Sequence, residues 1–327
     1  GDTWLFRFLF DATINGEPLL TMRDGCAGFF SEDELAAGKG IVRPALDLRP
    51  KAGTLPADWQ ELVPMEKESY SAAQLDRLRQ GDLAACFGPM FSDLNIRSPL
   101  TIPGSRMRLV HRVNEIDPTG GRYGLGIIRA DADIRPDDWF LTCHFVDDRV
   151  MPGTLMYECC MHTLRIFLLR MGWIAEAALS VWEPVPGVAS GLKCRGQVLE
   201  TTTTAGYEVS IRELGYMPEP YAICDALMFA DGKPIVEITN MSVRLTGTTK
   251  DKLQQAWGHR DRARGHGQVK PAIYTKDHIL AYSNGRPSEC FGEQYRIFDS
   301  GRKIARLPGP PFQFMDRITA LRGEPWK

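Results

Sequence analysis

Little in this sequence favours a polyanion or a bilayer. The 327 residues carry 39 Lys and Arg against 41 Asp and Glu, a formal net charge of −2. Such a chain has no global field to gather nucleic acid or an anionic membrane surface. No apolar run reaches the roughly 18 to 20 residues that span a bilayer. The richest stretch, from Thr154 to Trp173, is interrupted by Glu158, His162, Arg165 and Arg170. The eight cysteines show no CxxC spacing, which speaks against structural zinc and for reduced thiols used as small apolar residues. An initiator methionine is also missing: the chain opens on GDTWLFRFLF, already in a strand-like pattern. That opening suggests a fragment of something longer, with any targeting signal out of sight, and a cytoplasmic location is expected. A hydrophobic content of 43 % with 24 % charged residues fits a globular chain long enough for two or three domains.

What is present is repetition. Apolar runs at 4–12 and 18–22 flank Asn15-Gly16, a hairpin signal, and ALMFADGKPIVEITNMSVRL (226–245) repeats the layout around Asp231-Gly232. CFGPMF (86–91) matches CFGEQY (290–295) at an offset of 204, and IPGSRMRLVHRV (102–113) matches LPGPPFQFMDRI (307–318) at 205. Each CFG follows a short helical segment, with Ser71 and Gln74 as a capping box for the first and Thr275 as cap for the second. Three matches in one order predict tandem copies of a domain joined by linkers. One copy is complete at about 99–249; the basic run 258–270 reads as a solvated linker, or as a docking patch for an acidic partner. Within that copy the pattern predicts strands at 108–116, 123–130, 188–199, 205–214, 221–230 and 234–246, and a helix from Thr154 to about Met171 stopped by Gly172. A helix apolar on nearly every side must be buried on nearly every side, so an antiparallel sheet should wrap around it.

Chemistry concentrates in CHFVDDRVMPGTLMYE (143–158). Pro152-Gly153 breaks the chain just before the helix, with Thr154 as its expected N-cap. The helix start offers unpaired N–H groups and a partial positive charge to a developing oxyanion. Glu158 lies about four residues further on, roughly 6 Å along the axis. Set among Leu155, Met156, Cys159, Cys160 and Met161, its carboxyl should have a raised pKa and act as a general acid. His144, flanked by Cys143 and Phe145, has the pKa of a general base. Base, acid and oxyanion cradle suit removal of a proton alpha to a thioester carbonyl with loss of a beta hydroxyl. A plainer reading remains open: Glu158 with His162 at i+4 and Arg165 at i+7 forms a structural polar cluster. Glu158 and His162 also have helical metal-ligand spacing, but no further ligands of recognisable spacing accompany them.

WFLTCHFVDDRVMPGTLMYE (139–158) resembles the FabA-type 3-hydroxyacyl-acyl-carrier-protein dehydratases, and the likeness continues through GLKCRGQVLE (191–200) and ADGKPIVEITNMSVRL (230–245). The resemblance implies an α+β hotdog fold, an antiparallel sheet around a long central helix, in tandem copies as in the dehydratase region of a polyunsaturated fatty acid synthase subunit. On it, residues 1–50 are the end of a preceding non-catalytic hotdog, 51–98 a linker with a short helix, 99–250 the catalytic hotdog, 251–299 a linker and 300–327 the start of a following hotdog. His144 matches the catalytic histidine, Glu158 the catalytic carboxylate and Gly153 the glycine whose N–H binds the thioester carbonyl. Cys143, Phe145, Met151 and Pro152 flank the substrate. No metal or organic cofactor is implied, because the phosphopantetheine arm arrives with an acyl carrier protein. Other synthase domains and a homodimer or pseudo-dimer of hotdogs are the implied partners, since in this family the histidine and the carboxylate come from facing hotdogs. FabA-type enzymes carry Asp where Glu158 stands, and Arg149 replaces a common proline. A hotdog thioesterase and a non-catalytic scaffold copy remain as alternative functions.

Overall fold

The computed structural model describes residues 3–44, 48–145, 147–175, 178–263, 272–315 and 317–321. Most of the basic run at 258–270 and the end of the 300–327 segment lie outside them.

Asn15 (φ 52°) and Gly16 (φ 83°) take the left-handed conformations that a two-residue hairpin turn demands. They join β1 (Trp4–Ile14) to β2 (Glu17–Phe29), and these two strands pair only with each other among the described residues. Ser31 closes a capping box with Glu34 and starts α1 (Glu32–Ala36). The chain then runs along the main sheet: Ile41 N–H donates to Pro234 O and Thr54 N–H to Arg212 O.

That sheet has eight strands. β3 (Glu68–Tyr70), β4 (Arg112–Asp117), β5 (Ile127–Asp133), β6 (Trp182–Glu183), β7 (Gly191–Cys194), β8 (Thr204–Gly215), β9 (Tyr221–Ala230) and β10 (Lys233–Leu245) line up as β3-β4-β5-β8-β9-β10-β6, with β7 also on β10. Every pairing is antiparallel. Alternation sets the faces: Ala205, Tyr207, Val209 and Ile211 of β8 turn inward and are buried. Two short helices, α2 (Ala72–Arg79) and α3 (Leu83–Phe87), follow β3; α4 (Trp139–Cys143) and the long α5 (Gly153–Arg170) follow β5. The sheet wraps α5, whose Cys159, Cys160, Leu164, Ile166, Leu168 and Leu169 are wholly shielded from water. This is the expected hotdog. Among the described residues, no helix is long and apolar enough to cross a membrane.

Gly172 ends α5 at φ +99°. A Cβ there would lie 2.8 Å from Trp257 Nε1 and from Val63 Cγ2, and Gly172 O accepts from Trp257 Nε1 at 2.7 Å. Gly172→Ala is therefore expected to cost about 1–3 kcal/mol, because left-handed strain and a clash act together. Urea unfolding of the two proteins measures it.

Four expectations change. Residues 51–98 are no linker: β3 joins the sheet, and Leu75, Leu78, Leu83, Cys86 and Phe91 belong to the core. Residues 251–299 are not a plain linker either. α6 (Lys250–Ala263) sends Leu253 and Trp257 into the same core. The strand expected at 188–199 shrinks to Gly191–Cys194, all exposed, because Pro184, Pro186 and Gly187 before it and Gly196 after it interrupt the ladder. Three cysteines, Cys26, Cys143 and Cys194, are exposed rather than packed.

The last residues form a separate compact unit, His259–Lys327. Its α7 (Lys276–Asn284) and α8 (Pro287–Phe291) reproduce α2 and α3 in detail. Gly88 (φ 100°, ψ 177°) and Gly292 (φ 90°, ψ 175°) end the matched helices in one conformation. Tyr70 meets Phe87 edge-on at 5.2 Å, as Tyr274 meets Phe291. The short CFG match is thus also a match of backbone and packing.

Candidate active site

Residues 198–199 of the same chain hold the motif at 143–158. Val150 bridges to Leu199, and Met151 N–H donates to Val198 O at 3.0 Å. His144 caps the C-terminal end of α4, and its Nδ1 lies 3.1 Å from Val150 O. A carbonyl oxygen only accepts, so the proton of a neutral imidazole sits on Nδ1 and Nε2 keeps its lone pair. The Phe145 ring stacks on the imidazole at 3.9 Å between centroids and is itself exposed. His144 is thus oriented, half-exposed, and basic at the nitrogen that faces away from Val150.

The helix start differs in detail from expectation. Pro152, not Thr154, is the N-cap, and it offers no side-chain acceptor; its carbonyl takes the N–H groups of Leu155 and Met156. Thr154 lies inside the first turn. The N–H groups of Gly153 and Thr154 have no hydrogen-bond partner among the described residues, which leaves two donors at the positive end of an 18-residue helix. A Cβ on Gly153 would meet only Cys194 Sγ, at 3.8 Å. The chain's own packing does not demand a glycine here, and the space belongs to whatever approaches the backbone. Nothing in the sequence singled out Cys194; it comes close only because β7 pairs with β10 beside the helix start.

Glu158 is the second departure. Its Oε1 lies 3.0 Å from Nε2 of His162, which is wholly buried, while the Glu158 side chain is 38 % exposed. The contact is close but poorly aligned, so neither ring nitrogen of His162 forms a good hydrogen bond. The His162 imidazole nevertheless draws the Glu158 carboxyl below its ordinary pKa; burial pushes the other way and is outweighed, and Arg165 adds to the lowering. The raised pKa expected from the apolar helix is overturned, because the one polar neighbour outweighs the apolar ones. Arg165 does not bond to Glu158: it donates to Pro99 O and Thr101 O and lies over Trp182. Replacing His162 with leucine should raise the Glu158 pKa. Any pH–rate limb that reports its ionisation then moves to higher pH, and His162→Gln restores part of the shift. The profile of kcat/KM against pH measures this.

His144 and Glu158 do not bond to each other within the chain: one is bound to Val150, the other to His162. Pro152, Gly153 and Met151 line up between them along the backbone, with Met151 buried, Gly153 and Pro152 half-buried, and Cys143 exposed on the last turn of α4.

Comparison with known proteins places these residues in a family. Residues 102–239 match the model of the FabA-like domain. The chain is 35 % identical over 230 residues to one of the subunits of the polyunsaturated fatty acid synthase of Thraustochytrium sp. (strain ATCC 26185 / S-3). That match covers 69 % of this chain and 15 % of the relative, so the chain spans a small part of the longer protein. Among solved structures, the dehydratase heterocomplex ApeI:P from Xenorhabdus doucetiae is similar at 12 % identity and a TM-score of 0.32, covering 48 % of this chain and 93 % of that one. A hypothetical thioesterase with coenzyme A from Streptococcus pneumoniae TIGR4 is similar at 9 % identity and a TM-score of 0.28, covering 38 % and 81 %. Residues 102–239, which hold His144, Gly153 and Glu158 in one motif, are thus a FabA-like domain, and their fold is the hotdog.

Proposed function

We propose that residues 99–250 dehydrate 3-hydroxyacyl chains, delivered on the phosphopantetheine arm of an acyl carrier protein, to trans-2-enoyl thioesters within a polyunsaturated fatty acid synthase. The family match carries this reading, since it spans the whole motif; the relative supplies the synthase context. His144 Nε2 removes the alpha proton. The N–H groups of Gly153 and Thr154 take up the charge that grows on the thioester oxygen. Glu158, held ionised, accepts a hydrogen bond from the beta hydroxyl and orients it, and the proton that His144 took from the alpha carbon is returned by its imidazolium to the departing oxygen. The Cα–H and Cβ–O bonds break, the Cα–Cβ double bond forms, and water leaves. The scheme needs no metal or organic cofactor. In this reading the productive pair forms between two facing hotdogs, in a homodimer or pseudo-dimer, with His144 taken from one and Glu158 from the other.

A carrier-bound 3-hydroxyacyl substrate tests the reading. Ultraviolet absorbance of a new enoyl thioester is the expected result; release of free thiol instead would mean hydrolysis and a thioesterase.

A further inference from the structure

A cavity of about 210 Å³ opens beside α4, apart from Gly153 and Glu158. Its floor is apolar and formed by Leu109, Ala132, Ile134, Phe140, Met151 and Tyr207, each buried. Tyr207 spends its hydroxyl on Leu109 O at 2.9 Å, so the floor presents no free polar group from that side chain.

The rim is charged, and its charges differ in how they are used. Asp133 is bound on both oxygens by the Arg112 guanidinium, and Asp138 accepts from Arg135 N–H at 2.8 Å. Arg108 is held by both oxygens of Asp76. The guanidinium groups of Arg106 and Arg135 have no partner among the described residues. His111 lines the same rim, and its Nδ1 accepts from Asp133 N–H at 3.0 Å. That bond places the ring proton on Nε2, a donor. Burial, with Arg108 nearby, holds its pKa below the ordinary value, so it serves as a neutral N–H donor and adds no positive charge.

We propose that this cavity binds a small amphiphile, a carboxylate or phosphate head on a short apolar tail, with the head between Arg106, Arg135 and His111 and the tail on the Tyr207–Met151 floor. An engineered apolar cavity of about 150 Å³ accepts benzene, so this one has room for a tail of roughly six to eight carbons. Guanidinium groups favour planar or tetrahedral oxyanions over neutral heads. The proposal is independent of the dehydration scheme. The two share only α4 and Met151: α4 forms one wall of the cavity and carries His144 at its end.

Titration calorimetry of the full chain with octanoate, octyl phosphate and octanol tests it without any activity assay. Saturable one-site binding of octanoate or octyl phosphate is expected, with octanol at least tenfold weaker; the tighter of the two anions identifies the head. Arg106→Ala/Arg135→Ala should weaken the anion at least tenfold, and Ala132→Leu should block the tail, both with an unchanged far-ultraviolet spectrum. If octanol binds as tightly as the anions, if the double variant binds like the parent, or if no anion saturates the site, the proposal is wrong. If Ala132→Leu fails to fold, the double variant alone still decides.

Discussion

His144→Ala is expected to lower enoyl-thioester formation by about 10² to 10⁴-fold, the usual worth of a positioned general base. Folding should be little affected, because the imidazole is half-exposed and makes one hydrogen bond, to Val150 O. Glu158→Gln should fall in the same range, since glutamine keeps the size of the side chain but not the charge that orients the hydroxyl. The two variants also separate a shared site from a private one. If each active centre takes His144 from one hotdog and Glu158 from another, mixing His144→Ala with Glu158→Ala under exchange of protomers regenerates some intact centres. Activity that stays absent after exchange would rule out sharing between chains. Unchanged turnover in His144→Ala would end the enzymatic account and leave a scaffold copy.

The largest effect on stability is expected at the far end of the same helix. The buried Arg170 holds Glu68 through Nε at 2.8 Å and through a second, shorter contact; it also donates to Pro64 O at 3.0 Å and to the Tyr70 hydroxyl at 3.1 Å. Its guanidinium lies over the Phe91 ring. One side chain thereby ties residues 64–70 and the helices after them to α5. Arg170→Ala leaves Glu68 and Tyr70 partly buried without their partner and should cost about 3–5 kcal/mol. Burial by itself would raise the Glu68 pKa, but the Arg170 and Tyr70 hydrogen bonds outweigh it and the value is lowered. A lowered folded pKa contributes stability that is present above the unfolded value, 4.5, and is lost as pH falls through the folded one. The gap between Arg170→Ala and the parent should therefore be widest near neutrality and narrow in acid. Denaturant unfolding at pH 7 and at acidic pH, compared in both proteins, measures the cost and its sign.

These two ends of α5 were unequally legible. The helix itself, its glycine stop and the hairpin turns at Asn15-Gly16 and Asp231-Gly232 rest on local periodicity and on φ values that few residues tolerate, and both are written in short windows. The order His144, Gly153, Glu158 is local too. The role of Arg170 is not: its partners lie about a hundred residues earlier, in a segment read as linker because its short apolar pieces bury nothing by themselves. Leu75, Leu78 and Phe91 become core residues only when the sheet and α5 are there to cover them.

What the sequence by itself determined is therefore the hotdog, its central helix and the chemical groups at the helix start. Only the tertiary structure decided which atoms those groups touch. It turned His144 so that Nε2 is free and left the first-turn amides unfilled. It also set His162 against Glu158, so that a carboxyl in apolar company is drawn down in pKa rather than up. The reason is that an ionisation equilibrium follows the nearest charges and donors in space, and spacing along a chain fixes those only within a turn or two of helix.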